Sequence, residues 1–163
     1  HMAFVCDRSR VASLQFNPWK SYLNLKPITG YYSDVHGLTH GNGGDDDLCD
    51  SLAWHIGHWG NLVAKLKASP DGAGGNLLDH SALSLVFEGG HGYDPEGVRD
   101  GSAHSTEGMV VLVGGHAGGL KGGKHVVSGR KHPAMALISA MNAVGVTGNT
   151  MGEVTGSIPE LFT

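Results

Sequence analysis

SALSLVFEGGHGYDPEGVRDGSAHSTEGMVVLVGG, residues 81–115, is the stretch around which the rest of the 163-residue chain is organised. Two apolar runs, Ala82–Phe87 and Met109–Val113, read as buried strands. Between them lies a glycine-rich loop that carries Glu88, His91, Asp94, Glu96, Asp100, His104 and Glu107. In α/β proteins ligands sit beyond the carboxyl ends of parallel strands, so a buried strand that ends in a carboxylate and opens into a polar loop marks a place for chemistry.

Working outward, the chain is long enough for one domain with its own core. Its 27 glycines are scattered through loops with no G-X-Y period, which excludes a collagen-like chain. Apolar runs between the Gly-Gly pairs argue against disorder. The formal net charge is −4 without a basic cluster, which speaks against nucleic acid as a partner. No apolar run approaches the roughly 20 residues of a membrane span, and no signal peptide is recognised. The start, His1-Met2-Ala3-Phe4, falls inside an apolar pattern and reads as that of a fragment.

The 11 histidines set against two cysteines favour imidazole and carboxylate metal ligation over thiolate sites. Cys6 and Cys49 read first as two buried thiols, with one disulfide as the alternative in an exported protein.

Along the chain, Arg10–Phe16 (RVASLQF) alternates and is rich in β-formers, which predicts a strand ended by Asn17-Pro18. Trp19–Gly44 reads as a long loop carrying Tyr31, Tyr32, Asp34, His36 and His40. Asp45–Ala68 is the clearest helix. Three aspartates open it, Leu48, Leu52, Ile56, Trp59, Val63 and Leu66 make its apolar face, and Lys65 and Lys67 close it. Leu77–Phe87 is read as a strand, and Leu120–Val127 as a short edge strand. Pro133 opens a helix to about Val144, with Leu137, Ile138, Met141 and Val144 on its apolar face and Gly145 as its stop. Strands with intervening helices predict an α/β fold: a small, partly parallel sheet flanked by helices, in a single domain spanning residues 1–163.

His36 and His40 lie four apart, the spacing that puts two rings on one helical face. Gly37 and its neighbours argue against a continuous helix, so convergence is expected from a turn; two surface histidines are the plainer alternative. Glu88 directly follows an apolar strand, and His91 and His104 share its loop. Together these residues suffice for one or two zinc-like sites. His55 borders the apolar face of the 45–68 helix and reads as a packed, hydrogen-bonded histidine, whereas His58 reads as a solvated one. Lys121-Gly-Gly-Lys124 lacks the spacing of a phosphate loop. Ser105 follows His104, but no nucleophile elbow surrounds it.

Residues 6–15 (CDRSRVASLQ), the 34–41 histidine segment, Leu77-Leu78-Asp79, His104-Ser105-Thr106-Glu107 and the 114–123 segment together resemble the C-terminal part of an uncharacterised family of exported bacterial proteins, a domain of unknown function. That family is distantly similar to the alkaline phosphatase and sulfatase superfamily. The resemblance covers nearly the whole chain. It implies an alkaline phosphatase-like α/β fold, a metal site at strand ends and a periplasmic or extracellular location. The superfamily's C-terminal half supplies Asp-x-x-x-His, then an Asp-His pair, then a late His. His36 and His40 stand where the first pair would be, Glu88 with His91 near the second, and His104 at the late His. No Asp-His dipeptide follows the strand, and the half that supplies the superfamily's nucleophile has no counterpart here.

These readings converge on a metal-dependent hydrolase of phosphate or related small-molecule esters. His36, His40, Glu88 and His104 would hold a divalent metal, most plausibly zinc, which lowers the pKa of a water to roughly 7. His91 or Asp100 would orient that water or protonate the leaving group. The alternative is a non-catalytic metal-binding or structural fragment of an alkaline phosphatase-like protein. An uncovered apolar sheet surface predicts a homo-oligomer.

Overall fold

The computed structural model describes residues 1–17, 22–30, 34–87, 90–94 and 96–163, with the side chains of 91, 92 and 99–103 outside that description. Glu88, Pro18, Tyr31 and Tyr32 therefore lie outside the described residues, as do the side chains of His91 and Asp100. The chain forms two compact units, His1–Leu62 and Val63–Thr163.

In the first unit, α1 (Met2–Val5) is a single turn with no buried residue. The strand expected over Arg10–Phe16 is absent: the segment is irregular, with Val11 83% and Leu14 76% exposed. An alternating pattern becomes a strand only where a neighbour accepts its ladder, and among the described residues no ladder includes this segment. Phe16 packs instead on the rings of His55 and His58.

The expected 19–44 loop holds two short helices, α2 (Lys26–Thr29) and α3 (Val35–Thr39), and Asn24 bridges to Asp34 ahead of the second. Leu25 and Leu38 are their buried anchors.

The long helix α4 runs Asp45–Lys67, as its periodicity predicts. Asp47 accepts from the Gly44 amide at 3.1 Å, satisfying one of the donors left over at a helix N-terminus. Its covered face includes Leu48, Ser51, Leu52, His55, Trp59, Val63 and Leu66. Cys49 falls one position off that face and is exposed. Cys6 is exposed too, and both thiols are free, so the expectation of buried thiols is corrected.

In the second unit, β1 (Leu83–Val86) pairs with β4 (Val111–Gly114), with Leu85 opposite Leu112. The strand begins later than expected because Leu77–His80 form a turn. Its Asn76 side chain accepts from the Leu78 and Asp79 amides, while Asp79 accepts from the Asn76 amide. The glycine-rich stretch between the two apolar strands is not a plain loop. It contains a hairpin, β2 (Gly90–Asp94) on β3 (Arg99–Ser105), whose turn Asp94 organises by accepting from the Glu96 and Gly97 amides.

A third, very short hairpin joins β5 (Thr150–Met151) to β6 (Val154–Thr155). No strand forms over Leu120–Val127, where Lys121 donates to the Leu161 carbonyl beside a short 3-10 turn (Pro159–Leu161).

The chain is therefore mixed α/β, but every described ladder is antiparallel, which corrects the partly parallel sheet expected. A parallel pair needs a long crossover, usually a helix. Between Val86 and Val111 the chain instead makes the β2–β3 hairpin and returns along β1 in the opposite direction.

Helix α5 (Ala134–Ala143) packs against β1 and β4. Pro133 stands at its N-cap, one step before the position expected. The buried face is made of Ala136, Ile138, Ser139 and Ala143, while Val144 is half exposed to solvent. Small residues win because a backbone comes close: a Cβ on Gly118 would stand 2.4 Å from the Ala143 carbonyl oxygen. Ser139 is fully buried and fully used, donating to the Met135 carbonyl and accepting from the Ile158 amide. Ala117, Leu120 and Ala143 form a core with Ala82, Val113, Leu161 and Phe162 against it.

Candidate functional site

In the first unit, α3 presents His36 and His40 on one side of a single helical turn, with ring centroids 4.7 Å apart at 68°. The expectation of a turn in place of a helix is corrected here. One turn of helix is not stable by itself, so both ends are fastened. Asp34 is the N-cap, in extended conformation, and its carboxylate accepts from the Gly37 amide at 2.7 Å. At the other end Gly41 adopts φ +81°, its amide donates to Leu38, and the Asn42 amide donates to Gly37. This is the double bond pattern of a left-handed glycine stop. Buried Leu38 pins the turn from beneath. His36 is half-buried, with the Tyr22 ring edge-on at 6.4 Å, and His40 is exposed.

His55, also in this unit, is buried, at eight per cent exposed. Its Nδ1 lies 2.8 Å from the Ser51 carbonyl and its Nε2 lies 3.0 Å from Asn17 Nδ2. A carbonyl only accepts and an amide nitrogen only donates, so the ring carries its proton on Nδ1 and accepts at Nε2. Both ring nitrogens are occupied, as expected of a packed histidine. His58 is exposed, but its ring meets Trp54 edge-on at 4.5 Å and lies tilted to Phe16 at 5.9 Å.

In the second unit, His91 lies on β2 and Asp100 and His104 on β3. The backbone register puts Asp100 opposite Tyr93 and Ser105 opposite Gly90, with irregularities around Gly92. His104 is exposed and takes φ +63°, a left-handed conformation rare for a residue with a Cβ. Ser105 is buried, and its hydroxyl donates to the Tyr93 carbonyl while accepting from the Glu107 amide. That engagement makes Ser105 a structural tie. The Tyr93 amide donates to the Glu107 carbonyl at 2.7 Å, so the backbone groups of Tyr93 are held by the last residue of β3 and the segment just after it.

One feature of this unit escaped sequence reasoning. The Arg130 guanidinium carbon lies 4.3 Å from the centroid of the Tyr93 ring. Arg130 follows Gly129 in left-handed conformation (φ +64° and +62°), and the next residue, Lys131, accepts from the Gly108 amide. Sequence separation hides this pairing, since neither residue belongs to a recognisable motif. The only hint is the absence of any Asp or Glu from 108 to 152, where Lys121, Lys124, Arg130 and Lys131 all occur.

Of the residues expected to hold metal, His36 and His40 come together in the first unit, His104 lies in the second, and Glu88 is outside the described residues. Among the described residues no group of three or more His, Cys, Asp or Glu side chains is arranged to hold a metal ion. The His36–His40 pair fits a borderline-soft divalent cation in donor chemistry: two imidazoles on one face, with His40 open to solvent. Among the described residues no helix is long and apolar enough to cross a membrane. No family model, curated protein or solved structure matches the chain.

Proposed function

We propose that this chain is a metal-dependent hydrolase of phosphate or related esters, with an ancestry in alkaline phosphatase-like proteins. The observation that carries the reading is the His36–His40 pair, fixed on a one-turn helix whose two ends are both capped. A pair of imidazoles on a turn capped at both ends has lost backbone freedom before any ligand arrives, which lowers the cost of binding to a donor pair. A second support is His104, an exposed histidine kept in strained backbone conformation; strain of this kind collects at functional sites.

In this reading His36 and His40 are the donors of His1–Leu62, and Glu88 and His104 are those of Val63–Thr163. A bound divalent ion, zinc first, supplies Lewis-acid polarisation of the ester and acidifies a water. His91 or Asp100 orients that water or delivers a proton to the leaving oxygen. Ser105 takes no part, since its hydroxyl proton is committed to the Tyr93 carbonyl.

The test is elemental analysis and zinc calorimetry on the purified chain, paired with a panel of activated phosphate and sulfate esters with and without chelator. The reading requires about one or two ions per chain and chelator-sensitive turnover. Metal binding without turnover selects the non-catalytic metal-binding alternative, and no metal binding at all removes the hydrolase and leaves only the structural fragment.

A further inference from the structure

We infer that His55 is an acid-operated latch within the first unit: on taking up a proton it lets go of Phe16 and Asn17 and frees the segment they end from α4. The latch is independent of the proposed hydrolysis and of any metal.

The geometry specifies a neutral ring. Nδ1 donates to the Ser51 carbonyl one helical turn back, and Nε2 accepts from the Asn17 amide, 38 residues away in sequence. Two aromatic rings stand nearly perpendicular to the imidazole, Trp54 at 4.9 Å and Phe16 at 6.0 Å. The lone pair on Nε2 is the one place for a second proton, and Asn17 occupies it.

A proton there sets two donors against each other. Turning the Asn17 amide over restores a hydrogen bond but leaves a positive charge on a ring only eight per cent exposed, and a buried charge without a counter-charge is costly. Among the described residues neither a hydrogen bond nor an ion pair joins His55 to a carboxylate. Of the charged groups on α4 before it, Asp47 accepts from the Gly44 amide, and Asp45, Asp46 and Asp50 are exposed. On the covering segment Asp7, Arg8 and Arg10 are exposed, and Asp7 is paired with Arg10. The other titratable group of the cluster is His58, which meets the same Trp54 and Phe16 rings. Its proton adds a like charge three residues along the helix, which opposes closure further.

A charged ring is therefore favoured where it meets water, and one side of the site can open. Ser51 belongs to the same helix as His55 and stays with it. Phe16 and Asn17 end a segment that is irregular and exposed from Arg10 onward, and α1 ahead of it buries no residue. Segments of this kind open locally at small cost. The closed form holds the neutral ring, so its advantage is present at high pH and declines as pH falls through the imidazole range. One proton taken up on opening shifts the equilibrium by up to about tenfold per pH unit.

The experiment is NMR of the metal-free full chain, followed from about pH 8 to about pH 5. Cross-peaks between the Phe16 and His55 rings are expected to disappear, and the Asn17 side-chain amide to shift, with one midpoint that coincides with the His55 titration. The α4 amide signals are expected to persist. His58→Gln should leave that midpoint in place. Asn17→Asp sets a carboxylate opposite Nε2, where it pairs with the charged ring, so the Phe16 cross-peaks should survive at about pH 5. Thermal melts confirm that each variant folds.

Cross-peaks that outlast the His55 titration in the wild type overturn the inference, because the Asn17 amide has then merely turned over. Loss of the α4 signals in the same step overturns it too, as general acid unfolding. Release that vanishes in His58→Gln assigns the effect to the wrong ring, and release in a folded Asn17→Asp equal to that of the wild type removes the role of the buried charge. The wild type and His58→Gln decide the matter by themselves where Asn17→Asp does not fold.

Discussion

His36 and His40 hold their imidazole rings 4.7 Å apart, edge to face, on one turn of helix. A side-chain pair this close depends on the helix beneath it, and the helix depends on its caps. Asp34→Ala removes the acceptor of the Gly37 amide. It is expected to destabilise the protein by about 1 kcal/mol, as N-cap losses do. It should also lower zinc affinity without touching either ring. His40→Ala should lower zinc affinity by about tenfold or more with little effect on stability, because His40 is exposed. Zinc calorimetry with denaturant melts on both variants checks the pair. Undiminished zinc binding in His40→Ala rules out the donor pair.

Two glycines with similar backbone angles should respond differently to alanine. Gly115 has φ +96°, and a Cβ there would lie 1.9 Å from the Ser81 carbonyl oxygen. Gly145 has φ +84° with nothing within 4 Å of its Cβ position. Gly145 also ends α5, with its amide on Asn142 and the Val146 amide on Met141. Gly145→Ala meets only the left-handed penalty, about 1 kcal/mol. Gly115→Ala adds a backbone collision that must push β1 and β4 apart, for a loss of about 3 kcal/mol or more. Equal melting temperatures for the two variants would mean that the Ser81–Gly115 approach is looser than described.

The bidentate contact of Arg10 with Asp7, at 3.0 and 3.1 Å, has a pH signature. The hydrogen bond from Arg10, then its charge, holds the Asp7 carboxyl below its ordinary value of 3.8. A depressed carboxyl contributes stability above 3.8 that disappears as pH falls through the lowered value. The pair is fully exposed, so the effect on global stability is negligible. It is visible in a carboxyl-detected NMR titration: Asp7 should titrate below 3.8 in the wild type and move back up in Arg10→Ala. An identical Asp7 midpoint in both proteins refutes the assignment.

What could be read in advance depended on whether the signal was local. Helix α4 was legible to within a residue because its acidic start, apolar period and terminal lysines all agree. The stop at Gly145 was legible for the same reason. The one-turn helix under His36 was missed because Gly37 argued against it. Asp34 and Gly41, a capping residue before and a left-handed glycine after, were the signals to weigh. Arg10–Phe16 shows the opposite failure, a strand pattern without a partner strand. Strand direction was not legible at all. The runs at 82–87 and 109–113 are apolar whichever way they pair, and the hairpin that reverses them is built from glycine and polar residues with little period of their own. The Tyr93–Arg130 stack joins residues far apart in sequence, and no spacing rule anticipates it.

A last prediction separates donor from core among the histidines. His55 and His104 carry the same ring in opposite settings. His55 is buried, donating from Nδ1 to the Ser51 carbonyl and accepting at Nε2 from Asn17. His55→Ala strands the Asn17 amide and opens a gap, so a loss of about 1–3 kcal/mol is expected with zinc affinity unchanged. His104 is exposed at φ +63°. Replacing it with glycine removes the imidazole and also relieves the backbone, since glycine accepts positive φ at no steric cost. That relief offsets the greater flexibility of glycine in the unfolded chain, so stability should stay within about 1 kcal/mol of wild type. Zinc affinity and any ester turnover, by contrast, should fall by about tenfold or more. Denaturant melts and zinc titrations on both variants give four readings. If His104→Gly binds zinc as the wild type does while His55→Ala does not, the donor lies on α4, and the strain at His104 serves only to turn β3 toward Ser105.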